Sequence, residues 1–195
     1  LYSITGDERY MTLALRYSKN HVFDILDKGG DALTYDHSNA GIPLAHGCAR
    51  MYEVTGDEIW KKRTEAFYKC AVTDRGHYAT SGVNSGEFWI MPHMPGRFLG
   101  NNNQEFCTVY NLVRTADYLY KWTGNTEYAD YIERCLYNGF LAQQFSHRNA
   151  NLFSSSETRF KKEMGKQNPR LLVLSRYYGA GTDALQRPDL FYRQK

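Results

Sequence analysis

Two acidic residues and a thiol lie along one short stretch of the chain, between residues 82 and 107. Glu87 follows a glycine in the segment 82–89, which reads Gly-Val-Asn-Ser-Gly-Glu-Phe-Trp. Glycines let the backbone approach a ligand closely, and loops carried by a rigid scaffold often bear the reacting groups. A carboxylate in this setting can donate a proton, or it can simply cap a loop. We therefore treat Glu87 as a candidate general acid.

A candidate metal site follows in residues 101–107, which read Asn-Asn-Asn-Gln-Glu-Phe-Cys. Glu105 and Cys107 stand two positions apart at a predicted helix start. Glutamate oxygen and cysteine sulfur both suit Zn²⁺, so the pair can hold a thiophilic metal. The alternative is a carboxylate favoured by the helix dipole beside a buried thiol.

The bulk composition excludes several classes of protein. The formal net charge of +3 gives no strong electrostatic footprint for nucleic acid, so no nucleic-acid partner is expected. No stretch reaches the roughly 18 apolar residues that a membrane span requires. The sixteen tyrosines fit a carbohydrate-binding surface, and aromatic packing between helices explains them as well. The chain opens with Leu1 and shows no signal-peptide pattern, so we expect an internal fragment.

The four cysteines show no close pairing, so neither a zinc ribbon nor a small disulfide framework is indicated. Cys48, Cys70 and Cys135 fall on apolar helical faces. We predict that these three are buried and act as small hydrophobic side chains. Cys107 differs because Glu105 stands beside it.

An internal repeat organises the first three quarters of the chain. Residues 5–10, 55–60 and 123–128 each begin with Thr-Gly, continue with a helix-capping Asp or Asn, and reach an aromatic residue three positions later. Amphipathic spacing predicts helices at 7–27, 38–54, 58–74, 103–122 and 126–144, and strand patterns are absent from this range. Repeated helix–turn–helix units predict an all-α fold of αα-hairpins, which can close into an α/α toroid.

The pattern ends abruptly near residue 145. A polar stretch and a basic run follow, and no periodicity is sustained to Lys195. The sequence therefore divides into a helical domain at 1–144 and an irregular tail at 145–195. Such a tail is typical of a disordered, solvated extension.

Three blocks of residues resemble a known family. They are 37–57, which opens His-Ser-Asn-Ala-Gly-Ile-Pro; 82–107, with its Gly-Glu-Phe and Gln-Glu-Phe-Cys; and 128–139, which ends Leu-Tyr-Asn-Gly. In order and spacing they resemble the β-L-arabinofuranosidases of glycoside hydrolase family 127, formerly the DUF1680 domain of unknown function. The resemblance spans most of residues 1–144.

The resemblance implies an enzyme with an (α/α)6-type barrel that removes terminal L-arabinofuranose from plant-type glycans with retention. In such enzymes a zinc-bound cysteine is the nucleophile, and the zinc is held by a Glu-x-Cys pair and a later Cys-Cys pair. Glu87 matches the acid/base, and Glu105 and Cys107 match the first two zinc ligands. His37 and Glu133 match positions that contact the sugar in the family. As alternatives, His37 could be a loop histidine hydrogen-bonded to the backbone, and Glu133 could be an ordinary exposed helix residue. Relatives that act on plant glycans are often exported, which favours an exported parent by analogy.

The chain departs from the family at the nucleophile. No Cys-Cys pair follows Cys107, and the only later cysteine is Cys135. Residues 164–178 can be encoded by a set of synonymous codons that, when read from the second base of each codon, gives a different peptide. That peptide contains Cys-Cys-His-Gly, at the distance from Cys107 where the family places this block. The same shift across residues 145–160 can give a second family-like run. We therefore hypothesise a change of reading frame near Gln143-Gln144, which would make the tail an out-of-frame translation.

These observations predict an inactive fragment of a retaining, zinc-dependent arabinofuranosidase whose substrate is a carbohydrate. Two alternatives remain open at this point. A metal-free α/α-toroid enzyme, such as a polysaccharide lyase or an unsaturated-glucuronyl hydrolase, would use Glu87 with a His or Tyr. A helical-repeat binding module would bind a glycan or a protein without catalysis.

Overall fold

The computed structural model describes residues 1–99 and 105–141, and this part of the chain is mostly helical. The predicted tail 145–195 and the last residues of the predicted helix 126–144 lie outside the described residues. The helices are α1 (Tyr2–Thr5), α2 (Glu8–Arg16), α3 (Asn20–Leu26), α4 (Ser38–Gly41), α5 (Pro43–Thr55), α6 (Glu58–Tyr68), α7 (Phe106–Thr123) and α8 (Thr126–Arg134). π-Helical turns at Lys69–Thr73 and Cys135–Phe140 extend α6 and α8, and Pro95–Phe98 forms a 3₁₀ turn.

The three repeated turns are nearly identical in geometry. Gly6, Gly56 and Gly124 adopt left-handed φ values of 71°, 71° and 67°, and each N–H donates to a carbonyl four residues earlier at 2.8 Å. The next residue caps the following helix, because its side chain accepts the backbone N–H two residues on. This local chemistry produces three helix–turn–helix units: α1–α2, α5–α6 and α7–α8.

The core lies between the second and third of these units. Phe67 from α6, Val109 and Leu112 from α7, and Ala45 from α5 have no exposed surface. Cys48, Cys70 and Cys135 are buried in the same core, which confirms their prediction as small hydrophobic side chains. In contrast, α2 buries none of its residues, and an apolar groove of about 650 Å³ separates it from α5.

Two of the predicted helices are wrong as single elements. The helix at 7–27 is broken between α2 and α3, because the Ser18 hydroxyl bonds the Leu15 carbonyl and Lys19 leaves the helical region with ψ of 71°. The helix at 38–54 consists of α4 and α5, which begins at Pro43. The helix start predicted beside Glu105 is confirmed, since α7 begins at Phe106.

The prediction that strands are absent is also wrong. Residues 84–85 (β1) and 88–89 (β2) form a two-stranded antiparallel hairpin with Asn84 opposite Trp89 and Ser85 opposite Phe88. Strands of two residues are too short to show alternation in sequence. Within the described residues, no helix has the length and apolar character needed to cross a membrane.

Candidate active site

The β1–β2 hairpin places Glu87 on an exposed two-residue turn. Gly86 precedes it with φ of +57°, while Glu87 itself keeps a negative φ, which is the pattern of a type II′ turn. Strand alternation turns Phe88 outward and Trp89 inward, where Trp89 is 1% exposed, and the Glu87 side chain in the turn is 61% exposed. The hairpin therefore presents the candidate acid to solvent on a firmly anchored turn.

A third segment, residues 36–38, lies against the hairpin and brings His37 to Glu87. The Ser38 N–H donates to the Glu87 carbonyl at 2.8 Å, and the Trp89 N–H donates to the Asp36 carbonyl at 3.0 Å. Nε2 of His37 consequently lies 3.4 Å from Oε2 of Glu87.

One hydrogen bond of the His37 ring indicates which nitrogen carries the hydrogen in its neutral form. Its Nδ1 accepts the N–H of Ala40 at 3.4 Å, as the cap of α4, so a neutral ring carries its hydrogen on Nε2. That hydrogen faces the Glu87 carboxylate. The backbone contact expected of an ordinary loop histidine is thus present, and it orients the ring toward the candidate acid.

Glu105 and Cys107 lie together at the start of α7, and both are half-buried. Burial raises the pKa of Glu105; a hydrogen bond from the Cys107 thiol opposes this, and the negative charge of Glu87 adds to it. Burial, followed by the charge of Glu105 and the hydrogen bond to it, raises the pKa of Cys107 to about 12. The thiol therefore keeps its proton at neutral pH unless a cation replaces it.

Buried hydrogen bonds connect the segment of Glu87 with that of Glu105. Asn84 has no exposed surface; its Nδ2 donates to the Gly86 carbonyl at 2.6 Å, and its Oδ1 accepts the Glu105 N–H at 3.3 Å. The Ser38 hydroxyl lies 3.0 Å from the Glu87 carbonyl and 2.9 Å from the Thr108 hydroxyl.

An ion pair between the buried Arg75 and the partly exposed Asp31 supports the hairpin from the side of Trp89. The Arg75 guanidinium lies 5.5 Å from the centre of the Trp89 ring and donates to the Ile90 carbonyl. Its Nη2 lies 2.7 Å from Oδ1 of Asp31. Burial alone would raise the pKa of Asp31, but hydrogen bonds from Thr34 and the Leu33 N–H, together with the charge of Arg75, lower it to about 2.

Four of the five predicted site residues are thus brought together, and Glu133 is not among them. Glu133 is exposed on α8, whose buried face carries Tyr131. No hydrogen bond or ion pair within 1–99 and 105–141 joins Glu133 to the other four. Its sugar-binding role stays a prediction, and its surroundings match the ordinary exposed helix residue that was the alternative.

The donor set fits only part of a zinc site. Glu105 and Cys107 are of the right chemical type and adjacent, but in the described part of the chain no group of three or more His, Cys, Asp or Glu side chains could hold a metal ion. Structural and catalytic zinc sites use three or four protein ligands. The described residues therefore do not complete one.

Sequence reasoning missed Asn84, Ser38 and Thr108 as members of the site. Asn84 and Ser38 fall within the family-like blocks, but their types are common in turns and gave no separate signal. Thr108 lies inside a helix, where only its burial and its contact with Ser38 reveal its position.

The chain is similar to a protein family over most of its length. No curated protein matched it. The family match extends to residue 156, inside the predicted tail. Because residues 1–156 match the beta-L-arabinofuranosidase, GH127 catalytic domain, the chain belongs to this family.

Proposed function

We propose that this chain is part of a retaining β-L-arabinofuranosidase in which Glu87 is the general acid and base. The observation that carries the proposal is the contact between Glu87 and His37, on an exposed turn beside Glu105 and Cys107. The substrate class is an L-arabinofuranoside of plant-type glycans. Family membership favours this hydrolase over a metal-free toroid enzyme or a binding module.

The proton chemistry follows from the exposure of Glu87 and from its histidine partner. Protonated Glu87 gives its proton to the leaving oxygen, and the resulting carboxylate takes a proton from the water that completes hydrolysis. His37 directs its Nε2 hydrogen toward that carboxylate and orients it. We propose that His37 both orients the acid and contacts the bound sugar.

The described helices are proposed to form part of an (α/α)6-type barrel. The three matching Thr-Gly turns and the packing of α5–α6 against α7–α8 support this arrangement. In such a barrel the hairpin with Glu87 and the start of α7 would face the central pocket.

The chain itself is proposed to be inactive. Zinc would be held by Glu105 and Cys107, and in the family it keeps a nucleophilic thiolate deprotonated. The sequence contains no Cys-Cys pair to supply the remaining ligands and the attacking sulfur. A half-site of two ligands binds zinc weakly and offers no nucleophile.

A change of reading frame near Gln143-Gln144 is proposed as the cause. The test is the nucleotide sequence across residues 143–195. A second frame that encodes Cys-Cys followed by His-Gly supports the proposal, and an intact frame with no Cys-Cys codons in any frame contradicts it.

The activity is tested with an aryl L-arabinofuranoside. The 195-residue chain is expected to show no turnover, whereas a gene with the second frame joined to residues 1–144 is expected to hydrolyse the substrate. In that restored protein, Glu87→Gln should lower kcat by about 100-fold or more, the usual contribution of general acid catalysis. Turnover by the 195-residue chain, or full activity of the restored Glu87→Gln protein, would contradict the proposal.

A further inference from the structure

Asn84 lies where the turn of Glu87 meets the start of α7. It is fully buried, and both the nitrogen and the oxygen of its side-chain amide form hydrogen bonds. The Gly86 carbonyl needs a donor and the Glu105 N–H needs an acceptor, so the partners themselves determine which end of the amide is which.

The Glu105 N–H has a specific need for this partner. Glu105 is the N-terminal cap of α7, with φ of −105° and ψ of 124°, and its carbonyl accepts the Thr108 N–H at 3.1 Å. Its own N–H points away from the helix and cannot join the helical hydrogen bonds. Leaving such a group buried without an acceptor costs about 1–3 kcal/mol.

The turn of Glu87 is also held at two successive carbonyls. Asn84 binds the carbonyl of Gly86, and Ser38 binds that of Glu87 through both its N–H and its hydroxyl. Of these links, the one through Asn84 runs directly from the turn to the backbone of Glu105.

We propose that Asn84 is a positioning residue that fixes the spacing between Glu87 and the Glu105–Cys107 pair. The proposal rests on the proposed function for its catalytic meaning: the proton donor and the first two zinc ligands must be held at a fixed spacing, because the zinc would position the attacking sulfur. A misplacement of about 1 Å can cost roughly 100-fold in rate. The Asn84 amide supplies one donor and one acceptor at these two points.

The experiment uses the 195-residue chain and needs no activity. Residue-resolved amide hydrogen exchange is measured for Glu105, with the core amides of Leu112 and Leu119 as internal references. Asn84→Ala removes both bonds, while Asn84→Asp keeps the acceptor for Glu105 and loses the donor to Gly86. Asn138→Ala is the matched control, since Asn138 also donates to a backbone carbonyl, that of Ala79, at 3.1 Å.

In Asn84→Ala, exchange at Glu105 is expected to rise about tenfold relative to the two core amides, the equivalent of one lost hydrogen bond. In Asn84→Asp and Asn138→Ala, the exchange rate at Glu105 relative to the two core amides should stay within about threefold of its value in the original chain. Equal acceleration at all three amides would mean that Asn84 acts only on general stability. Either that result or unchanged exchange at Glu105 in Asn84→Ala would overturn the proposal.

Spacing is measured separately by thiol cross-linking. In a Glu87→Cys chain, bifunctional thiol reagents of graded length are expected to join position 87 to Cys107 best at one length. Adding Asn84→Ala should lower that yield at least about threefold; if that chain does not fold, Asn84→Asp serves, because it still loses the Gly86 bond. An unchanged optimum and yield would overturn the proposal while leaving the proposed hydrolase function intact.

Discussion

The carboxylate of Asp31 and the guanidinium of Arg75 form an ion pair, 2.7 Å apart, behind the hairpin that carries Glu87. The Arg75 side chain is completely buried, and it also binds the Thr34 hydroxyl at 2.9 Å and the Ile90 carbonyl. The pair therefore joins the segment before His37 to the segment after Trp89. Both segments belong to the framework of the candidate site.

This ion pair predicts a loss of stability in acid. The folded pKa of Asp31 is lowered from 3.8 to about 2. Its contribution is therefore fully present above about pH 4 and is lost as the pH falls from there toward about 2. Asp31→Asn removes this contribution. The difference in unfolding free energy between the original chain and this variant should therefore shrink as the pH falls from about 4 toward about 2.

Urea titrations from pH 7 to pH 2 measure this difference. Asp117→Asn is the control, because Asp117 pairs with Lys121 on an exposed helix face and such pairs contribute less than about 1 kcal/mol. A difference that stays constant down to pH 2 would show that the Asp31 carboxylate is not held ionised by Arg75.

A second prediction concerns the reactivity of Cys107. Its pKa of about 12 depends in part on the charge of Glu105, so Glu105→Gln should lower the pKa of the thiol. A shift of one unit gives about tenfold more thiolate at pH 9 and a correspondingly faster reaction with iodoacetamide. Peptide mass spectrometry resolves Cys107 from the buried Cys48.

Glu133→Gln provides the matched control for that experiment. It makes the same change of charge at an exposed position that does not contact the thiol. Equal rates of Cys107 alkylation in the two variants would show that Glu105 does not control this thiol.

A third prediction concerns zinc. After dialysis against metal-free buffer, the 195-residue chain is expected to retain far less than one zinc ion per chain, because Glu105 and Cys107 supply only two of the three or four protein ligands that zinc requires. Metal content is measured by atomic emission, with Cys107→Ser as the control. One tightly held zinc that disappears in Cys107→Ser would contradict the proposed half-site.

A fourth prediction concerns Gly139, where the π-helical turn after α8 meets the loop that leads to the hairpin. A Cβ at this position would lie 3.2 Å from the backbone carbonyl of Thr80 and 3.4 Å from Cγ1 of Val109. Gly139→Ala is therefore expected to destabilise the fold by about 1–2 kcal/mol, as overpacking does.

Gly47 of α5 supplies the comparison for Gly139. A Cβ there meets nothing within 4 Å, so Gly47→Ala should be neutral or stabilise the helix by up to about 1 kcal/mol. Thermal unfolding of both variants gives the difference. Equal melting temperatures would contradict a close approach at Gly139.

The ends of several helices could be predicted because they depend on neighbouring residues alone. At Gly56 the left-handed turn requires a glycine, and Asp57 caps α6 through the N–H of Ile59 two positions later. The interruption near Ser18 could not be predicted, since the amphipathic pattern does not show whether a serine hydroxyl will bond a carbonyl of its own helix.

The hairpin at 84–89 could not be predicted in the same way. Its strands are too short to alternate visibly, and they form because residues 36–38 and the buried Arg75 pack against them. These contacts join positions far apart in sequence, and local propensity carries no record of them.

The sequence by itself determined the chemical types of the site: a carboxylate on a glycine turn, a Glu-x-Cys pair at a helix start, and the lack of a later Cys-Cys pair. It also determined the helical repeat, because capping and turn chemistry act over a few residues. Only the tertiary structure decided that His37 faces Glu87 and that Asn84 binds the backbone of Glu105. Those contacts span tens of residues, and they form only when burial of the core brings the segments together.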